Sequence, residues 1–163
     1  MLDHQEIKKI LDEMSEQLAI QLSGYKYKMV GIRTGGVWIA KQLAQRLNYD
    51  EEIGELDISF YRDDFTRIGL NPSVKPTSLP FSCDDTHLLL VDDIIMSGRT
   101  IRAAMNELFD FGRPASIKLA VLADLGQREL PIAASVVGQM IQLPKGERLK
   151  LTGPEPLSLS KES

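Results

Sequence analysis

Asp92 and Asp93 stand side by side after the apolar run His87 to Val91, and Ser97, Gly98, Arg99 and Thr100 follow closely. A buried strand ending in two acids, then a loop of small residues, then a helix, is an arrangement with a specific chemical capacity. In open α/β sheets ligands collect beyond the carboxyl ends of the strands. The first backbone N–H groups of a helix have no intrahelical partner, and together with the helix dipole they favour an anion. Two hydroxyls (Ser97, Thr100) and the Arg99 guanidinium complete a cradle for a phosphate monoester, with Gly98 allowing close backbone approach. The neighbouring carboxylates can accept hydrogen bonds from vicinal hydroxyls or hold a magnesium ion (Mg2+). Phosphate beside a diol describes ribose 5-phosphate. The plain alternative is a helix capped by its acids after an ordinary Ser-Gly turn. Neither the Gly-x-x-x-x-Gly-Lys pattern of a Walker loop nor a dinucleotide fingerprint occurs.

The elements that must position these residues follow from periodicity. Ile7, Ile10, Leu11, Met14, Leu18 and Leu22 recur at helical steps, with Asp3 and Glu6 as a capping box and Gly24 as a stop. Lys28 to Ile32 reads as a short buried strand running into a loop at Arg33-Thr34-Gly35-Gly36, then a helix that turns Val37, Ala40, Leu43, Ala44 and Leu47 inward. Residues 55–60 alternate as a strand does. From Tyr61 to Asp85 periodicity fails, and a loop of that length is usually functional or disordered. His87 to Val91 is a covered strand, 92–99 a loop, Thr100 to Phe111 a helix, 117–123 a second covered strand, and 135–137 a candidate third. Alternation of strand and helix predicts a parallel α/β sheet. The polar stretch 152–163 is expected to fray.

The 163 residues suit one domain, 43% hydrophobic and 26% charged. No run approaches the roughly 18 apolar residues of a membrane span, and the first residues lack the layout of a secretory signal. A lone cysteine, Cys83, excludes an intrachain disulfide and suits a reducing, cytoplasmic setting. The formal charge of −4 argues against nonspecific nucleic-acid binding. His4 and His87 lack partners at metal-ligand spacing, and His87 reads as structural.

Residues 90–100, Leu-Val-Asp-Asp-Ile-Ile-Met-Ser-Gly-Arg-Thr, resemble the phosphoribosyl pyrophosphate (PRPP) motif of type I phosphoribosyltransferases. Within that group, Gly-Glu-Leu-Asp-Ile-Ser-Phe-Tyr-Arg-Asp-Asp at 54–64 resembles the pyrimidine-operon attenuator/uracil phosphoribosyltransferase (PyrR) family. The stretches at 100–105, 112–114, 119–122 and 128–132 do so too, and the likeness runs from about Gln5 to Lys150. It implies a type I phosphoribosyltransferase fold, a mostly parallel sheet flanked by helices, with one domain at 1–152, a hood at about 61–85 and a polar tail at 153–163.

The resemblance also implies a reaction: PRPP plus uracil gives UMP and pyrophosphate, with Mg2+. Asp92 and Asp93 would hold the ribose hydroxyls or the metal. Ile94, Ile95, Met96, Ser97, Gly98, Arg99 and Thr100 would form the 5-phosphate loop, and Arg33, Thr34, Gly35 and Gly36 the pyrophosphate loop. Arg62, at the root of a mobile hood, would lie near pyrophosphate. Family members commonly carry Arg where this chain has Gly35, so Gly35→Arg is expected to raise turnover. No side chain is an obvious general base, and Met96 stands where purine transferases of this superfamily usually place an acid. The base pocket would involve Asp124, Leu125, Ile141 and Leu149, although Leu125 and Gln127 replace the family's usual Arg and His. Attenuators of this family bind an mRNA leader through a basic face. The chain keeps Arg128 there but has Gln127, Ala133 and Gln139 at positions that tend to be basic. Two alternatives to an enzyme follow, a UMP- or PRPP-responsive RNA attenuator and a catalytically degenerate nucleotide binder. The family likeness suggests a homo-oligomer, a dimer or larger.

Overall fold

A computed structural model describes residues 1–58 and 77–162. The Asp3 carboxylate accepts from the Glu6 N–H at 2.8 Å, and the Glu6 carboxylate accepts from the Asp3 N–H at 3.4 Å. This reciprocal box starts α1 (His4–Gln21), whose stripe Ile7, Ile10, Leu11, Met14 and Leu18 is buried. Next come β1 (Tyr27–Ile32), α2 (Gly35–Arg46) and β2 (Gly54–Leu56). Beyond the undescribed segment lie β3 (His87–Ile95), α3 (Arg99–Asp110), β4 (Ser116–Asp124) and β5 (Val136–Met140). A hairpin of β6 (Arg148–Thr152) and β7 (Ser158–Glu162) closes the chain.

The five-stranded sheet has the order β2-β1-β3-β4-β5, and every pairing in it is parallel. Alternate strand residues feed two cores. Met29, Leu89, Val91, Ala120 and Leu122 pack under α1, α2 and the hairpin leucines. Val30, Ile32, Leu88, Leu90, Leu119 and Val121 pack under α3 with Ile101, Ala104 and Leu108. Strand order reverses between β1 and β3, the topological switch point where such sheets open a crevice. Among the described residues, no helix is long and apolar enough to cross a membrane.

Two expectations are corrected. The strand expected to stop at Val91 continues to Ile95, paired with β4 through Ile94↔Ala123 and Ile95↔Asp124. Asp92 and Asp93 are therefore strand residues, and Asp92 is only 5% exposed. The neighbouring strand satisfies the backbone there, so two polar side chains need not break it. The stretch expected to fray is also ordered: β7 pairs in register with β6, Leu2 bridges Leu159, and Leu157 and Leu159 are buried. Leu159 on an otherwise polar strand, with Leu157 just before it, suffices to anchor the segment in the core. The return of the long loop is tied to the body. Ser78 and Glu55 exchange backbone hydrogen bonds at 2.8 and 2.9 Å, and Cys83 is buried. Ser59, Phe60, Arg62 and the hood root at 61–64 lie outside the described residues.

Candidate active site

Two helices begin at the carboxyl edge of the sheet, and in neither does the residue at the cap position bond the first turn with its side chain; at the start of α3 the Ser97 hydroxyl accepts from the Arg99 N–H at 3.2 Å. Thr34 precedes α2 without capping it, and Gly98 precedes α3 at φ +94°. The peptide between Arg33 and Thr34 is cis. By contrast, α1 carries its full capping box. These helix starts follow β1 and β3, the adjacent strands of the switch point, so their first-turn N–H groups sit side by side. Gly98 is needed for its backbone: at φ +94° an L side chain is strained even though a Cβ would meet only ordinary contacts at 3.4–3.6 Å.

The glycines of the first loop weld it to the acids. A Cβ on Gly36 would lie 2.6 Å from the Val91 carbonyl oxygen and 3.0 Å from the Asp92 Cα. A Cβ on Gly35 would run into the Asp93 carboxylate and sit 2.8 Å from its Cγ. One oxygen of each acid is held locally: Asp92 Oδ1 accepts from the Asp93 N–H at 2.9 Å, and Asp93 Oδ1 from the Ile94 N–H at 2.8 Å. The Asp93 Oδ2 faces Gly35. Arg33 lies at the rim, its Nε on Glu55 at 3.0 Å.

A crevice of about 230 Å³ opens over the second loop. It is lined by Ile94, Ile95, Met96, Ser97, Gly98, Thr100 and Ile101 from below, and by Leu125, Arg148 and Leu149 from above. Of the expected base-pocket residues, Leu125 and Leu149 reach it. Ile141 packs in the core, and Asp124, 5% exposed, turns to Arg128. Arg99, expected to face the phosphate, is not among the lining residues; its Nε pairs with Glu129 at 2.9 Å across the exposed surface. The cation that does line the crevice is Arg148, which the sequence reading did not single out beside its neighbour Leu149. It stands three positions before the buried Leu151, in a stretch without a recognisable motif. A larger cavity of about 520 Å³ lies at the opposite end of the sheet, among Tyr25, Tyr27, Tyr49, Glu51 and Thr86. It has neither a glycine loop nor a helix N-terminus, so chemistry favours the smaller crevice.

Arg128, read from sequence as an RNA contact, is engaged within the fold. Its Nη2 donates to Asp124 Oδ2 at 2.6 Å, its Nε to the Ile132 carbonyl at 2.6 Å, and its Nη1 to the Met96 carbonyl at 2.9 Å. Burial would raise the Asp124 pKa, but the Arg128 hydrogen bond and charge, with the Gly126 N–H at 2.8 Å, outweigh it and hold the carboxyl below the usual range. His87 is structural, as expected: its Nδ1 lies 2.6 Å from Ser116 Oγ and its ring meets Tyr25 edge-on.

Comparison with known proteins agrees with this geometry. The phosphoribosyl transferase domain family matches residues 1–147. A protein of Pseudomonas paraeruginosa named Bifunctional protein PyrR is 59% identical over 135 residues, 83% of this chain and 79% of that protein. Its namesake in Pseudomonas syringae pv. tomato is 52% identical over 154 residues, 90% and 91% of the two chains. Among solved structures, a hypoxanthine-guanine phosphoribosyltransferase of Bacillus anthracis superposes with a TM-score of 0.70 at 20% identity, covering 87% of this chain and 80% of the other. A hypoxanthine phosphoribosyltransferase of Staphylococcus aureus gives 0.69 at 23% identity, covering 87% and 76%. At those identities the structures speak for the fold alone.

Proposed function

Because the chain belongs to the phosphoribosyltransferase family and, within it, to the PyrR proteins, we propose that it transfers the phosphoribosyl group of PRPP to uracil, giving UMP and pyrophosphate. The observation that carries this reading is the convergence, at one switch point, of two helix N-termini with a pair of carboxylates between them. The N–H groups of Ser97 to Thr100 would hold the 5-phosphate, with Arg148 across the crevice. Asp92 and Asp93 would accept the ribose hydroxyls, and Thr34 to Gly36 would take the pyrophosphate at the start of α2. Such an arrangement fixes the ribose between two anion sites, so that the bond from C1′ to pyrophosphate breaks as the bond to the base nitrogen forms, the base proton leaving to water. Among the described residues lining the crevice there is no His, Asp or Glu. Catalysis then comes from holding the reactants together and stabilising the departing charge.

Among the described residues no three His, Cys, Asp or Glu side chains converge as a metal cage. Asp92 and Asp93 would therefore hold Mg2+ only together with substrate oxygens, the usual arrangement for an ion bound through one or two carboxylates plus phosphates. When bound, it would neutralise pyrophosphate charge. Arg62 remains a proposed pyrophosphate contact from the hood.

Incubating the protein with labelled uracil, PRPP and Mg2+ tests the proposal. UMP and pyrophosphate should appear in equal amounts. The Asp92→Asn/Asp93→Asn variant, which keeps acceptor oxygens for the local backbone bonds, should lose about a hundredfold or more, from two charge-assisted bonds of roughly 1.5–3 kcal/mol each. No UMP from the wild-type protein would contradict the reading.

The name those relatives carry, Bifunctional protein PyrR, supports a second role beside the enzymatic one: a UMP- or PRPP-responsive attenuator that binds an mRNA leader. Because Arg128 is turned inward, its phosphate contacts would have to come from other basic residues. A gel shift against a pyrimidine-operon leader, with and without UMP, checks this; no shift at micromolar protein retires it. By the same family likeness the working unit would be a homodimer or larger, which light scattering reads directly.

A further inference from the structure

The segment that follows β4 grips the back of the 5-phosphate loop at two successive carbonyls. The Met96 carbonyl accepts from Arg128 Nη1 at 2.9 Å. The Ser97 carbonyl accepts from the backbone N–H groups of Glu129 and Leu130 at 2.9 and 3.1 Å. In a trans peptide the N–H points opposite to the C=O. Fixing the Met96 carbonyl toward Arg128 therefore turns the Ser97 N–H away from it, and fixing the Ser97 carbonyl does the same for the Gly98 N–H. The crevice is lined by Met96, Ser97 and Gly98 but by no residue of 126–132, so it lies on the side to which those donors turn. Arg128 is itself locked, by Asp124 Oδ2 at 2.6 Å and the Ile132 carbonyl at 2.6 Å, and Asp124 is anchored at the end of β4.

We infer that Arg128 is a positioning residue for phosphate recognition: braced by Asp124, it sets the orientation of the Met96–Ser97 peptide, whose N–H receives the 5-phosphate, beside the next peptide held by the Glu129 and Leu130 amides. The inference rests on the reading of residues 96–100 as the 5-phosphate loop. It assigns Arg128 a role on the inner side of the site, where the family likeness placed it on an RNA-facing surface. A lysine cannot replace it, because one ammonium group does not reproduce the planar fork that reaches Asp124, Ile132 and Met96 together.

Two variants test the brace, Arg128→Lys and the double substitution Asp124→Asn/Arg128→Gln, which removes both charges and leaves no buried carboxylate unpaired. Calorimetry measures the Kd of each for UMP and, separately, for pyrophosphate with Mg2+, a ligand that does not use residues 96–100. Thermal melting confirms that each is folded, and the double variant is the one read if the single one is not. The expected result is a loss of tenfold or more for UMP with pyrophosphate affinity kept within threefold. An unchanged UMP affinity in a folded variant, or equal losses for both ligands, would overturn the brace. Failure of the wild-type protein itself to bind UMP would instead overturn the reading of the loop.

Discussion

Gly35 shows how one missing side chain can shape a site. A Cβ there falls on the Asp93 carboxylate, so any larger residue must first push Asp93 out of its present position. The family habit of Arg at this place leads to the expectation that Gly35→Arg speeds turnover; the packing against Asp93 argues for the opposite outcome. Gly35→Ala should raise the KM for PRPP by about tenfold, equivalent to about 1.4 kcal/mol, and Gly35→Arg should not improve kcat/KM. Steady-state kinetics at saturating uracil decides it. Asp124 gives a second prediction at this scale. Its native pKa is depressed, so the Asp124–Arg128 pair contributes its full stabilisation above the ordinary carboxylate pKa of about 3.9, and loses it as pH falls through the lower native value. At neutral pH, Asp124→Asn should cost about 2 kcal/mol, the pair being partly shielded from water. That difference in Tm from wild type should shrink as the pH is lowered from 7 toward 3. A constant difference would mean that the carboxylate charge is not what stabilises the fold.

At the scale of elements, the closing hairpin carries more than its sequence suggested. Leu151, Leu157 and Leu159 lie in the core shared with α1 and α2, and Arg148 and Leu149 reach the crevice from the same β6. Leu159→Ala should therefore destabilise the protein by roughly 2–5 kcal/mol, read by urea denaturation, and should weaken UMP binding through the hairpin. Stability within about 0.5 kcal/mol of wild type would mean that the hairpin is an ornament of the core. The helices were legible because their apolar residues repeat at helical steps, as Ile7 to Leu18 do, and the covered strands because they are short unbroken apolar runs, as His87 to Val91 is. The end of β3 and the hairpin were not. Asp92 and Asp93 read as polar loop residues because pairing with β4, a non-local contact, is what keeps them in the strand. The hairpin's burial similarly depends on Leu2 and α2, far away in sequence.

Across the whole molecule, the parallel order β2-β1-β3-β4-β5 decides where chemistry can occur. It brings the loop after β1 against the acids of β3 although roughly sixty residues separate them. Most residues on the near wall of the crevice, and the paired acids beside it, could be named from the sequence because they are contiguous. The cation over the crevice could not, since Arg148 arrives by folding while the nearer Arg99 turns outward to Glu129. The charge and burial of Asp124 and Arg128 were equally hidden, for the same reason. A crystal structure with UMP bound addresses the central claim most directly. It should show the phosphate on the N–H groups of Ser97 to Thr100 and the ribose hydroxyls within hydrogen-bonding distance of Asp92 and Asp93. Nucleotide density elsewhere, with that crevice holding only water, would contradict the account.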